Sequence, residues 1–281
     1  MLLKYLFLCT ALTPIYAFFT LLPFSHTSIT TLSELQMSSV NNAHLTQPLL
    51  LSVINRISIT GPIRLVLASQ SPRRREILDM MGLAGRYDII PSPLDEEVLG
   101  RKLASSPENI TPQKYAVELA EAKARAVGEQ MVNINNKKGI KDDDIATVFI
   151  LGSDTIVDLD GEILEKPSDK DDAVRMLSKL SSRSHKVHTG VAIYRVDAGE
   201  GGKETLITSF VDTANVTFTS LSEDDIAAYV LTAEPMDKAG GYGIQGIGGQ
   251  LVQRMEGDFF TIMGLPMHRV SRELADAISS F

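Results

Sequence analysis

Three consecutive arginines, Arg73 to Arg75, follow a serine-proline pair in the stretch LVLASQSPRRREIL, which spans Leu65–Leu78. An apolar run followed by Ser71 and Pro72 predicts a strand, a polar turn and the first turn of a helix. Cations are unfavourable at a helix N-terminus unless an anion lies between them, and phosphate suits both arginine and backbone N–H groups. Taken alone, the stretch is equally compatible with an anion site and with a solvated basic helix start.

A second stretch whose residues could carry chemistry is Val148–Thr155, where four apolar residues precede a glycine, a serine and Asp154. The apolar residues predict a central strand with Asp154 at its carboxyl end, where active-site groups of α/β sheets tend to lie. Asp154 could act as a base or as a metal ligand. Further ionisable residues that could join it are Glu96, Lys123 and Lys166, although the acidic group around Glu96, taken alone, is typical of a solvated loop.

The third stretch, Glu234–Gly249, contains six glycines. So many glycines indicate a backbone that approaches something closely or that adopts positive φ angles. The alternative is a flexible loop. The apolar and aromatic residues between the glycines, Tyr242, Ile244 and Ile247, argue for an ordered segment instead.

Several cations with one or two carboxylates suit phosphoryl or pyrophosphoryl chemistry with Mg²⁺. The sequence holds no Walker A motif, no dinucleotide-binding glycine pattern in the right context and no recognisable Ser-His-Asp arrangement. The residues alone therefore predict an α/β enzyme that acts on a phosphorylated small molecule.

Composition limits the remaining classes of function. The 281 residues are 44% hydrophobic, enough for a sizeable core, and carry a net charge of −8, which argues against broad binding to nucleic-acid backbones. The single cysteine, Cys9, lies in the N-terminal apolar stretch, so the folded part contains no disulfide and no thiol nucleophile. The five histidines form no metal-ligand motif.

Hydrophobic periodicity and turn residues position these motifs on alternating strands and helices. Strands are predicted at 65–68, 87–90, 148–151, 156–159, 162–164, 187–196, 206–218, 251–255 and 258–263. Helices are predicted after Pro72, over 111–128, from Ser168 to Leu180, from Ser222 to Val230 and from Gly264 onward, with a surface loop at 133–144.

The N-terminal 60 residues are expected to lie outside this fold, which we assign to residues 61–281. Residues 1–23 are apolar apart from Lys4 and a few hydroxyls, and resemble a signal peptide or signal anchor, although Pro14 and Pro23 disfavour a stable membrane span. Residues 24–50 are rich in Ser, Thr, Asn and Gln, as in an organelle transit segment or a linker. The alternative is a mispredicted start codon.

Four ordered motifs, LASQSPRRREIL, LGSDTIVDLDGEILEKP, EPMDKAGGYGIQGIGG and GDFFTIMGLP, resemble the Maf family of nucleoside triphosphate pyrophosphatases over residues 64–281. The resemblance implies a mixed α/β fold similar to that of inosine triphosphate pyrophosphatases, with a twisted sheet flanked by helices and two lobes around a cleft. It also implies cleavage of a nucleoside triphosphate to the monophosphate and pyrophosphate with a divalent metal, Mg²⁺ or Mn²⁺, in a cytoplasmic protein.

The resemblance assigns roles to individual residues. Asp154 matches the family's proton acceptor, and a carboxylate there could also ligate the metal together with Glu96. The positions that match substrate-binding residues are Ser71, Arg73, Arg74, Lys123, Thr155, Lys166 and Gln245. Where the family often has Leu-Ser-Gly, this chain has Leu180, Ser181 and Ser182, which leaves the positive φ of that turn in question.

Three of these residues, Arg73, Thr155 and Gln245, resemble the markers of the branch that hydrolyses dTTP and UTP. The branch that hydrolyses 7-methyl-GTP carries Trp, Gln and Glu at those places. A Gln amide can donate to and accept from the edge of a pyrimidine, so Gln245 is expected to read the base. The alternatives are 7-methyl-GTP, modified pyrimidine or other non-canonical nucleotides, in a housecleaning role, or a nucleotide-binding regulator of division.

The expected partner is thus a nucleoside triphosphate, not a nucleic acid. A membrane contact is expected only through an N-terminal signal or anchor, and that segment also raises organellar or secretory targeting as an alternative to the cytoplasm. A homodimer is compatible with the family resemblance.

Overall fold

The computed structural model describes residues 48–105, 110–138, 147–197 and 203–280. The N-terminal stretches up to residue 47, with the targeting role expected for them, lie outside these ranges. Within the described ranges, none of the helices has both the length and the apolar composition needed to cross a bilayer.

The described residues form one mixed sheet whose strands are β1 (Ile63–Leu67), β2 (Tyr87–Ile89), β3 (Thr147–Leu159), β4 (Glu162–Leu164), β5 (Ser184–Val196), β6 (Glu204–Phe218) and β7 (Val252–Glu256). Their order is β2-β1-β3-β5-β6-β7, with β4 paired to β3. β1 is parallel to β2 and β3, whereas the other pairs are antiparallel.

The helices of the described ranges are α1 (Pro72–Leu78), α2 (Glu96–Ala104), α3 (Pro112–Lys138), α4 (Lys170–Leu180), α5 (Glu223–Leu231), α6 (Phe259–Met263) and α7 (Met267–Ser279). Helices α1 and α7 cover one face of the sheet around Phe149 and Leu151, and α3 covers the opposite face around Val148 and Ile150. A further apolar core packs α4 and α5 against the glycine-rich segment. The predicted fold class, a mixed α/β sheet flanked by helices, is confirmed.

The strand that carries Asp154 is longer than the sequence predicted. β3 does not end before Asp154, because β5 pairs with it from Val148 to Asp158 without a break. The strand that ends is β1, whose last residue, Leu67, lies opposite Leu151. Asp154 therefore lies three residues beyond the carboxyl end of the neighbouring parallel strand, where that edge of β3 is open.

Two glycines let α3 lie directly against the sheet. A Cβ on Gly152 of β3 would be 2.3 Å from the Ala120 carbonyl oxygen, and a Cβ on Gly190 of β5 would be 2.2 Å from that of Ala116. Real Cβ atoms do not approach backbone this closely. The small residues on the facing side of the helix are fully buried, so backbone packs on backbone here.

Other expectations need correction. Residues 259–263 form helix α6 rather than a strand, because Asp258 caps them through the N–H of Phe260 and Gly264 ends them at φ +117°. Helix α3 continues ten residues beyond Gly128, into the expected loop. Glu96 opens α2, capped by Asp95, instead of lying in a solvated loop.

The turn after α4 keeps a positive φ without a glycine. Ser182 adopts φ +58°, and its N–H donates to the carbonyl of Thr219 at 3.0 Å. The turn of this chain therefore adopts a positive φ with a Ser at the position where the family often has Gly.

Residues just before β1 are part of the core, although the sequence analysis set them apart with the N-terminal segment. Leu50, Val53 and Ile57 are buried in the core around α7. The N–H of Leu50 donates to Ser271 Oγ at 3.0 Å, and Arg56 Nη1 donates to the carbonyl of Ile278 at 2.9 Å, near the C-terminus of α7. Residues 50–57 thus hold the last helix.

This packing predicts different costs for two adjacent leucines. Leu50 is 1% exposed and Leu51 is 73% exposed. Leu50→Ala should lower the free energy of unfolding by about 3 kcal/mol because it leaves a cavity against α7, whereas Leu51→Ala should change it by less than about 0.5 kcal/mol. Urea denaturation measures both, and equal effects would contradict the packing described.

The close approach of α3 predicts that Gly190→Ala lowers the free energy of unfolding by about 3 kcal/mol or more, because the new methyl group overlaps the backbone of Ala116. Gly85→Ala is the matched control. Gly85 has a positive φ, unlike Gly190, but nothing lies within 4 Å of its Cβ position, so only backbone strain of about 1 kcal/mol is expected. Equal losses in the two variants would mean that α3 does not touch β5 in this way.

Candidate functional site

A cleft of about 520 Å³ opens at the place where β1 ends beside β3. Its apolar floor comes from two cores, with Met263 from one and Val157, Val187 and Tyr242 from the other. All nine residues that the sequence analysis assigned to the site line this cleft: Ser71, Arg73, Arg74, Glu96, Lys123, Asp154, Thr155, Lys166 and Gln245.

A buried ammonium group joins the two carboxylates. Lys123 is 4% exposed, and its Nζ donates to Asp154 Oδ1 at 2.7 Å and lies 2.9 Å from Glu96 Oε2. Lys166, which is exposed, lies 3.9 Å from the same oxygen of Glu96. Among the hydrogen bonds of the described residues, Asp154 Oδ2 has no partner, so the protein contacts this carboxylate through Oδ1.

The charges around Glu96 determine its ionisation. Burial would raise the pKa of this carboxyl group, but the ammonium groups of Lys123 and Lys166 outweigh that effect and hold the pKa below its usual range. Glu96 is therefore ionised at neutral pH.

Arg74 is held from three directions. Its Nε donates to the carbonyl of Gly264 at 2.9 Å, its Nη1 to Ser69 Oγ at 3.0 Å and its Nη2 to Thr155 Oγ1 at 3.2 Å. Burial lowers the pKa of Arg74, although Asp154 and Glu96 oppose that shift. These bonds use three of the five N–H groups of a guanidinium, which leaves one on each terminal nitrogen for a ligand.

Ser71 is the N-cap residue of α1, as predicted, but its side chain makes no capping hydrogen bond. Its backbone N–H donates to Ser69 Oγ at 3.2 Å. Ser71 therefore lines the cleft while its side chain takes no part in capping the helix.

Arg73 has a partner that the sequence analysis missed. Its Nη1 donates to Asp237 Oδ2 at 2.8 Å and its Nη2 to the Asp237 carbonyl at 3.2 Å. Lys238 Nζ donates to the other carboxylate oxygen of Asp237 at 2.6 Å. Burial works against ionisation, but these two cations lower the pKa of Asp237. The pair joins α1 to the glycine-rich segment across the cleft.

A second missed residue, Glu234, organises that segment. Its Oε1 accepts from Tyr229 Oη and from the N–H of Gly248, both at 3.0 Å, and its Oε2 accepts from the N–H of Ile247 at 2.9 Å. A Cβ on Gly246 would be 2.6 Å from the same carboxylate. These contacts order the turn that carries Gln245, so the segment is not a flexible loop.

The geometry suits a polyphosphate ligand. Cations line the cleft, and carboxylates compensate the charges of Lys123 and Arg73, whereas the direct partners of Arg74 are neutral oxygens. Asp237 and Glu234 both belong to the glycine-rich motif EPMDKAGGYGIQGIGG. Carboxylates in a motif that is otherwise rich in glycine are the sequence signal that could have identified them.

Comparisons with known proteins agree with the motifs. The family model described as "Maf-like protein" matches residues 64–277. A "dTTP/UTP pyrophosphatase" of Bacillus velezensis is 43% identical over 213 residues, which are 76% of this chain and 96% of that protein. One of Moorella thermoacetica is 42% identical over 212 residues, 75% of this chain and 94% of that protein.

A human relative named "Probable bifunctional dTTP/UTP pyrophosphatase/methyltransferase protein" is 43% identical over 211 residues. The match covers 75% of this chain but only 31% of that protein. A solved structure of the Staphylococcus aureus Ham1 protein aligns with 77% of this chain and 98% of its own at 14% identity, with a TM-score of 0.33.

The resemblance inferred from the four motifs is confirmed by a family match that spans most of the chain and by relatives above 40% identity over nearly their full length. The chain belongs to the Maf-like protein family.

Proposed function

We propose that this protein hydrolyses dTTP and UTP to the nucleoside monophosphate and pyrophosphate. The observation that carries the proposal is the convergence of Asp154, Glu96 and Lys123 in a cleft that Arg74 also lines. Relatives named dTTP/UTP pyrophosphatase support the reaction and the choice of base.

The phosphates would lie beside Arg74, Lys123 and Lys166. Arg74 offers the two N–H groups that its protein contacts do not use, in the forked geometry that suits phosphate oxygens. Lys123 is buried and fixed by its two carboxylates, so its charge is already in position when the anion arrives. Lys166 is exposed and can follow the phosphates.

In the proposed reaction, a water oxygen attacks the α-phosphorus, and the bond from that phosphorus to the bridging oxygen of the β-phosphate breaks. Pyrophosphate leaves with the electron pair of the broken bond. Asp154 Oδ2 accepts the proton of the water, while Lys123 on Oδ1 fixes the orientation of the carboxylate.

A divalent metal fits the oxygen ligands present. Among the described residues, no group of three or more His, Cys, Asp or Glu side chains is placed to hold a metal. Asp154 and Glu96 offer two carboxylates on either side of one ammonium group, and Mg²⁺ often binds through one or two carboxylates plus substrate phosphates. When bound, Mg²⁺ or Mn²⁺ would offset phosphate charge and polarise a phosphoryl oxygen.

The base would lie toward the glycine-rich segment. Gln245 is exposed to the cleft on the turn that Glu234 orders. Arg73, tied to Asp237, lies on the same side of the cleft. A Gln amide can accept from N3–H of uracil or thymine and donate to a neighbouring carbonyl oxygen.

Replacing Asp154, the proposed catalytic base, tests the reaction class. Asp154→Asn should lower kcat for UTP and dTTP at least about 100-fold in the full chain, because Asn cannot accept the proton. Asp160→Asn is the matched control, since Asp160 lies on the turn after β3 and pairs with Arg183 outside the cleft. Product analysis with Mg²⁺ or Mn²⁺, and with a chelator, should give monophosphate plus pyrophosphate only when metal is present. Release of orthophosphate, or full activity in Asp154→Asn, would contradict the proposal.

The proposed contact between Gln245 and the pyrimidine predicts a change in selectivity between UTP and CTP. Gln245→Glu should lower the ratio of kcat/KM for UTP to that for CTP about tenfold or more, because a carboxylate repels the O4 of uracil and accepts from the amino group of cytosine. Gln250→Glu adds the same charge to the exposed residue that directly follows this segment, outside the cleft lining. If both variants changed the ratio equally, or if 7-methyl-GTP were the preferred substrate of the unaltered chain, Gln245 would not have the role proposed.

A further inference from the structure

Three threonines form a chain of contacts that begins at Arg74. Arg74 Nη2 donates to Thr155 Oγ1 at 3.2 Å, and Thr155 Oγ1 lies 2.9 Å from Thr189 Oγ1. Thr189 Oγ1 in turn donates to the backbone carbonyl of Thr261 at 2.7 Å. Thr155 and Thr189 are directly opposite each other on β3 and β5, and Thr261 lies on α6.

The two ends of this chain fix the direction of every hydrogen bond in it. A carbonyl oxygen can only accept, so Thr189 donates its single hydroxyl proton to the carbonyl oxygen of Thr261. Thr155 must therefore donate its own proton to Thr189. A guanidinium has no acceptor, so Thr155 can only accept from Arg74. The order of donation is Arg74 to Thr155, Thr155 to Thr189, and Thr189 to the carbonyl.

The far end of this series of hydrogen bonds is formed by buried residues. Thr189 and Thr261 are both 0% exposed, and the hydroxyl of Thr261 donates to Asp212 of β6. Helix α6 also ends at Gly264, whose carbonyl accepts from Arg74 Nε. The same short helix thus supports the guanidinium twice, directly at Gly264 and through the threonines.

We propose that Thr189 is a positioning residue for Arg74. By accepting the proton of Thr155, it makes Thr155 an acceptor that holds the guanidinium ready for a phosphate group of the substrate. It follows that Thr155 has no proton to donate to a nucleotide and affects the substrate through Arg74. This role rests on the proposed function, in which Arg74 binds phosphate.

The test is coupling between Thr189 and Arg74, measured in the full chain as the affinity for inorganic pyrophosphate by calorimetry and as kcat/KM for UTP. Thr189→Val should weaken both about tenfold, and Thr189→Ser, which keeps the hydroxyl, should restore them to within about threefold. In an Arg74→Lys background, Thr189→Val should change neither value by more than about twofold.

If Thr189 only stabilised the fold, Thr189→Val would lower the pyrophosphate affinity and kcat/KM by the same factor with Arg74 intact and in the Arg74→Lys background. That additive result would overturn the proposal. Thr155→Val provides a second route if Thr189→Val does not fold, because it removes the same link at a half-buried position and should show the same coupling to Arg74. Failure of the unaltered chain to bind pyrophosphate would also overturn the role of Thr189. UTP that is bound but not hydrolysed would instead overturn the proposed function, while the coupling in pyrophosphate binding would still report on Thr189.

Discussion

The contact of α3 with the sheet at Gly152 and Gly190 is the constraint on which the site depends. Without Cβ atoms at these positions, the helix backbone lies against β3 and β5, and Lys123 reaches Asp154 from one turn further along α3. A lysine that is 4% exposed would be strongly destabilising without partners, because desolvation of an ammonium group costs several kcal/mol. Asp154 and Glu96 compensate that cost. Backbone packing thus brings the charges together, and the charges make the burial of Lys123 tolerable.

The same logic explains how an acidic chain holds a site for a polyanion. The net charge of −8 says nothing of the local field, since the cleft gathers cations from α1, α3 and the glycine-rich segment. Arg74 relies on carbonyl and hydroxyl oxygens, whereas Lys123 and Arg73 rely on carboxylates. Neutral partners leave the charge of Arg74 uncompensated by direct contact, which makes it the cation with the most to gain from a phosphate.

Much of this site could be predicted from the sequence, because its charged residues lie next to strand ends and turns that have recognisable patterns. All nine predicted residues line one cleft. The supports of those residues could not be predicted. Thr189 and Thr261 are buried threonines in apolar runs, and only the three-dimensional pairing of β3 with β5 gives them a role. Helix α6 has five residues, too few for helical periodicity to distinguish it from a strand. The role of residues 50–57 depends on α7, more than two hundred residues away.

Two separate supports hold the two ends of the cleft. Arg74 interacts electrostatically with Asp154 and Glu96 and is held by the sheet and α6. Asp237 interacts with Arg73 and Lys238 and belongs to the glycine-rich segment that Glu234 orders. Because distant sites without shared partners behave additively, changes at Gln245 or Asp237 should leave the arrangement of Asp154, Glu96 and Lys123 unaltered. The charges around Asp154 therefore depend on the contact of α3 with the two glycines and not on the glycine-rich segment.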